Sequence, residues 1–146
     1  VDEFVVYDDS QYAKRDWRNR NKIKVLTGLE WLSMPVNSKT RYRQKINEVE
    51  VTDPKWRKAH LKKIRQNYQK AGAFHEVIDW VESIYNNSES EYLTDINVSI
   101  IKEICQKLGI TVDFIDSRSL ELSGDRTEKL INVCAQREAS EYFTGP

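Results

Sequence analysis

Ile110-Thr111-Val112-Asp113-Phe114-Ile115 is an apolar run of strand length. Thr127 to about Arg137 follows, with Leu130, Ile131 and Cys134 at helical spacing, and then comes Glu141-Tyr142-Phe143. Strand, helix, strand in that order is a βαβ unit, which almost always gives parallel strands and a right-handed crossover. The last third of the chain therefore sets the fold class as α/β. Three helices precede it. Leu93, Asn97, Ile100, Ile101, Ile104 and Leu108 form one stripe of a helix that starts near Tyr92 and stops at Gly109. Phe74, Val77, Ile78, Val81, Ile84 and Tyr85 recur at spacings of three and four until Asn86-Asn87-Ser88. The first helix opens at Thr52-Asp53-Pro54, a capping side chain ahead of a proline that needs no N–H donor there, and Gly72 ends it.

The first half reads as strands. Phe4-Val5-Val6-Tyr7 is a continuous apolar run like that of a strand covered on both faces. Lys22 to Leu26 and Leu29 to Val36 flank Thr27-Gly28, a dipeptide able to close a hairpin, and Pro35 marks an edge. Ile46 to Val51 alternates as one more short strand. The expected architecture is a mostly parallel sheet with an antiparallel hairpin added, at least four helices, and one βαβ unit near the C-terminus. At 146 residues the chain suits a single domain, 1–146, able to bury a core without staples. Both ends cut at or near core strands, so we expect an internal fragment of a longer chain.

Charge narrows the partners. Lys+Arg and Asp+Glu both number 23, so the net charge is zero and the field that draws basic proteins onto nucleic acid is missing. No apolar run approaches the roughly 20 residues that span a bilayer, so no membrane span is expected. Cys105 and Cys134, both within apolar helical stripes, read as reduced buried thiols and point to the cytoplasm. His60 and His75 lack a Cys, Asp or Glu at ligand spacing, so we infer no metal and no cofactor. Trp31, Trp56 and Trp80 lie on strand or helix patterns that assign them to the core.

Ligands of open parallel sheets bind outside the carboxyl ends of the strands. The loop after the first strand carries the densest motif, Lys14 to Lys24, in which six of eleven residues are basic. Arginine presents a planar fork that holds phosphate or carboxylate in a bidentate way, lysine adds a point charge, and asparagine reads a hydroxyl or an amide. Arg15, Arg18 and Arg20 are the candidates for an anionic group, with Lys14, Asn19, Asn21, Gln11 and Trp17 beside them. The opposing reading is a solvated face whose arginines pair with Asp8, Asp9 and Asp16. Asp8 or Asp9 is the candidate base. Thr127 sits where a helix N-terminus holds an anion through free N–H groups; an ordinary cap, with Thr127 or Asp125 capping and Glu128 completing a capping box, competes with that role.

The string from Asp8 to Lys24 closely resembles the signature block of the WbqC-like family, with Ala13 where a threonine is expected. The match continues through Gly28 to Val36, Lys45 to Asp53, the three helices, and Thr127-Glu128-Lys129-Leu130 with Thr144-Gly145-Pro146, which adds Gly145 to the ligand-binding set. The family's opening strand and its region beyond the terminal Gly-Pro have no counterpart here. The resemblance implies a part in bacterial surface polysaccharide biosynthesis, including the O-antigen of lipopolysaccharide. It also implies a transferase role, adding an aminoacyl or acyl group to a nucleotide-linked sugar. The alternative is a non-catalytic nucleotide- or anion-binding module acting with a polysaccharide enzyme. In either case the expected partner is an anionic small molecule, a nucleotide sugar or acyl donor.

Overall fold

The structure, a computed structural model, describes residues 1–87 and 89–144. Among them are four strands and four α-helices: β1 (Glu3–Val6), β2 (Arg20–Val25), β3 (Gly28–Ser33), α1 (Trp56–Tyr68), α2 (Phe74–Asn86), α3 (Leu93–Lys107), β4 (Asp113–Asp116) and α4 (Arg126–Gln136). β1 and β4 form a parallel pair, β2 and β3 an antiparallel one. The class is mixed α/β, as expected from the sequence.

The chain resolves into two compact units. One takes Val1–Asp9 with the chain from Val112 onward; the other is Ser10–Thr111. In the first, Glu3, Phe4, Val5 and Val6 face Asp113, Phe114, Ile115 and Asp116 in register. Phe4 and Phe114 lie side by side with ring centroids 5.5 Å apart. At the end of α4 the Arg137 guanidinium donates to both carboxylate oxygens of Glu3, at 2.9 and 2.5 Å. That pairing holds the Glu3 carboxyl below its ordinary range. α4 starts as a capping box: Asp125 accepts from the N–H groups of Thr127 and Glu128, and Glu128 accepts from that of Asp125. Gly124 precedes it at φ +89°, where a Cβ would stand 2.2 Å from Glu128 Oε2, so only glycine fits there.

In the second unit, β2 and β3 pair from Arg20↔Ser33 to Val25↔Gly28, closing over Leu26-Thr27 with Gly28 at φ +126°. Tyr12, Met34, Ile46, Val49, Trp56, Leu93 and Ile96 form the buried core, and Val36, Val51, Tyr85 and Ile100 pack against it. Backbone bonds stitch the connection onto this core: Leu93 N–H to Val49 C=O at 2.8 Å, and Val51 N–H to Glu91 C=O at 2.7 Å.

Three local expectations are corrected. Residues 46–51 do not make a strand: Ile46–Glu48 is a 3₁₀ turn, and only isolated bridges follow, Val36↔Val51 and Glu50↔Tyr92. Glu48 accepts from the Lys45 N–H at 2.9 Å, and that local bond favours the turn. Residues 141–144 carry no strand, and Phe143 is 71% exposed, so the parallel partner of β4 is β1. Phe4 is 44% exposed, so β1 is not covered on both faces. No helix of the described residues is long and apolar enough to cross a membrane.

Candidate functional site

The basic loop belongs to the second unit, and its shape follows from Asp16. That side chain accepts from the Trp17 N–H at 2.6 Å and caps a 3₁₀ turn, Trp17–Asn19. It also forms an ion pair with Arg18. Asn97 of α3 donates to the Arg18 carbonyl at 2.9 Å. Asn19 donates from its side chain to the Met34 carbonyl at 2.9 Å, while the Met34 N–H returns a bond to the Asn19 carbonyl at 2.8 Å. These contacts anchor the loop to β3 and α3.

Arg20 sits 4.1 Å from the centroid of the Trp31 ring and donates to the carbonyl of Arg15, a residue held at φ +63°. A non-glycine residue at positive φ persists where its surroundings over-determine it, and the Arg20 fork is one such tether. Arg18, Asn19 and Arg20 are therefore engaged within the fold. The Asn21 side chain accepts from the Lys22 N–H at 2.7 Å, and Gln11 donates to the Tyr42 carbonyl.

Lys14, Arg15 and Lys22 remain exposed, together with Trp17, which is 60% exposed. Trp17 leans on Trp31 with ring centroids 5.0 Å apart, and Lys22 Nζ lies 4.7 Å from the Trp31 ring and 5.9 Å from Trp17. Beneath the loop, Tyr12 is buried; burial pushes its phenol pKa up, partly opposed by the charges of Arg18 and Arg20. The strand pattern assigns Trp31 to the core; it is instead half-buried and serves as the floor of this cation–aromatic cluster. The signal was present in the alternation of β2 and β3, which sets Lys22 opposite Trp31.

Asp8, Asp9 and Thr127 lie in the other unit. Asp8 is 3% exposed, just past the carboxyl end of β1, where Ser117 Oγ beyond the end of β4 donates to its Oδ1 at 3.4 Å; Asp8 Oδ2 is buried without a partner. Asp9 forms an ion pair with Lys129 at 3.8 Å. Asp116 is held below the ordinary carboxylate range by the Arg118 guanidinium. The Thr127 N–H is satisfied by Asp125, so the start of α4 is an ordinary cap. Gly145 lies outside the described residues.

His60 is structural: buried, 3.1 Å from the Ser33 carbonyl through Nε2, and edge-on to Trp56 at 5.1 Å. Burial lowers its pKa below the usual 6.5, despite the Ser33 bond that opposes it. The unfolded chain therefore takes up a proton before the folded one does, so stability should rise with pH through this window and fall as pH drops below about 6.5. Urea midpoints between about pH 5.5 and 7.5 should show that slope, and His60→Gln should flatten it; an unchanged slope in the variant would assign it to other groups. Cys105 and Cys134 are free and half-buried.

A family model described as the WbqC-like protein family matches residues 1–146. An uncharacterized protein of Mycobacterium tuberculosis is 44% identical over 146 residues, covering 100% of this chain and 63% of that protein. The chain thus spans less than two thirds of the length of that relative. No solved structure matches.

Proposed function

Because the chain belongs to the WbqC-like protein family, we propose that it acts in bacterial surface polysaccharide biosynthesis, binding a nucleotide-linked sugar at the basic loop. In this proposal it is a transferase that adds an aminoacyl or acyl group to the sugar. The observation that supports the binding step is the exposed Trp17, backed by Trp31 and flanked by Lys22, with the exposed Arg15 two residues before it in the chain. An aromatic face accepts a stacked base, and neighbouring cations neutralise a diphosphate. Arg18, Asn19 and Arg20 act as positioning residues that hold the loop in shape. The two free cysteines suit a cytoplasmic setting, where we place the activity.

A non-catalytic binding module is the second reading, favoured by the state of the carboxylates. Of the two candidate bases, Asp9 is paired with Lys129, and Asp8 is buried with Ser117 donating to its Oδ1. A paired carboxylate and one shut away from solvent are both poorly placed to take a proton from a bound substrate.

The test is titration of the chain with a panel of nucleotide sugars, followed by incubation with acyl and aminoacyl donors and mass analysis of the sugar. At least one nucleotide sugar should bind, and Trp17→Ala or Arg15→Gln should weaken it about tenfold or more, close to 1.4 kcal/mol, with little change in melting temperature. Binding that ignores both substitutions would sink the site. Binding without any transferred group would favour the module.

A further inference from the structure

The tip of the β2–β3 hairpin is made of residues that a turn in water does not favour. Short hairpin loops are dominated by glycine and small polar residues, yet this one is Leu26-Thr27. Leu26 is 102% exposed, and Leu29, the second residue of β3, is 68% exposed. Neither belongs to the buried core of the unit. Single exposed leucines are ordinary on a protein surface, whereas two on one turn make a small apolar patch that marks a contact surface.

Charge is sorted on the same element. Cross-strand partners share a face, so the pairs Lys22↔Trp31 and Lys24↔Leu29 place both lysines on the face of Leu29. From Arg20 to Ser33 the lone carboxylate is Glu30, which belongs to the opposite face and pairs with Lys63 of α1. α1 carries five lysines and arginines and no carboxylate, and it runs along the hairpin toward the tip. His60 lies by the Ser33 carbonyl, Lys63 by Glu30, and the Tyr68 hydroxyl accepts from the Lys24 N–H at 3.0 Å. Two residues after Tyr68, the exposed Lys70 stands at the tip end. Lys22, Lys24 and Lys70 make no ion pair among the described residues.

An apolar point ringed by ammonium groups that lack a carboxylate has a definite complement. A specific protein interface buries on the order of 1,000 Å² or more, and a two-residue turn with two leucines is too small and too convex to supply it. A bilayer is fluid and closes round a projecting tip. Its acyl boundary takes up the leucines, and its anionic headgroups take up the lysines. We propose that the β2–β3 hairpin docks the protein on a bilayer surface that carries anionic lipids. Leu26 and Leu29 enter the boundary between headgroups and acyl chains, and Lys22, Lys24 and Lys70 meet the headgroup phosphates. The inference does not rest on the nucleotide-sugar reading of Trp17. Docking of this kind holds the Trp17 platform beside the membrane, because Trp31, on which Trp17 leans, is two residues along β3 from Leu29.

The experiment is cosedimentation of the chain with vesicles of phosphatidylcholine alone and of phosphatidylcholine mixed with phosphatidylglycerol. The parent is compared with Leu26→Ser/Leu29→Ser and with Lys24→Gln/Lys70→Gln. The mixed vesicles should bind the parent about tenfold more tightly than the neutral ones, or better. Raising salt from about 0.1 to about 1 M, which shortens the screening length from roughly 10 to 3 Å, should remove most of that difference. The leucine pair should weaken binding about tenfold and the lysine pair about fivefold for each charge. Melting should be unchanged, since all four side chains are exposed. No binding to the mixed vesicles, equal binding to both kinds, or binding insensitive to either pair of substitutions would each overturn the proposal; loss with the lysine pair alone would mean adsorption of charge without docking. Polyglutamate, run beside the vesicles, tests an acidic protein as the partner, and binding to it as tight as to the mixed vesicles overturns the membrane reading. So does concentration-dependent dimerisation without vesicles that the leucine pair abolishes, because the tip is then covered by a second copy.

Discussion

Trp56→Ala should destabilise the Ser10–Thr111 unit by about 4 kcal/mol, the largest effect expected from any single truncation in the chain. Trp56 opens α1, is 5% exposed, and packs its ring against Tyr85 at 5.4 Å and His60 at 5.1 Å. Arg57 lies over it at 4.9 Å between Cζ and the ring centroid. Removing the indole opens a cavity where α1 meets the core and leaves His60 without its main neighbour. The indole Nε1 is buried and unpartnered, so Trp56→Phe keeps the ring contact while deleting a polar atom with no hydrogen bond. It should cost far less, about 1 kcal/mol. Urea unfolding of the two variants checks the pair of values; equal losses would mean that the ring itself contributes little.

Leu93→Ala should cost about 3 kcal/mol and lower the melting temperature by roughly 6 to 12 °C. Leu93 is fully buried at the start of α3, and its N–H donates to the Val49 carbonyl, another residue with no exposure. The side chain therefore sits where the irregular segment after Ile46–Glu48 crosses the helix. Neither Val49 nor Ile96, 0% and 1% exposed, has room to move into the space left behind without breaking that crossing. A melting temperature within about 2 °C of the parent would place the centre of the core elsewhere.

The helices were legible because each announces itself twice, by period and by stop signal. Phe74 to Tyr85 and Leu93 to Leu108 carry apolar stripes long enough to exclude a strand, and the observed α2 and α3 follow them within a residue or two. Strands were harder. Over six residues, Ile46 to Val51 alternates equally well as a strand or as a 3₁₀ turn that leads into extended chain, and the Lys45–Glu48 bond decides between them. The hairpin pairing could be read from Thr27-Gly28, but that of β4 could not: nothing local to Ile110–Ile115 indicates that its neighbour is β1.

The candidate site shows the same division. The run of cations from Lys14 to Lys24 was plain, but which of them are engaged depends on a turn set by Asp16, which joins Arg18, and on the ring that receives Arg20.

The way β1 is paired also orders events during synthesis. Residue 3 meets residue 113, so β1 emerges from the ribosome early and waits while all of Ser10–Thr111 is made. The intervening unit holds its own core and can complete its folding in that interval. β1, meanwhile, lacks its partner β4, and closing so long a loop delays their pairing. Asp2 and Glu3 put charge at the start of that strand, where they discourage nascent chains from pairing with one another through it.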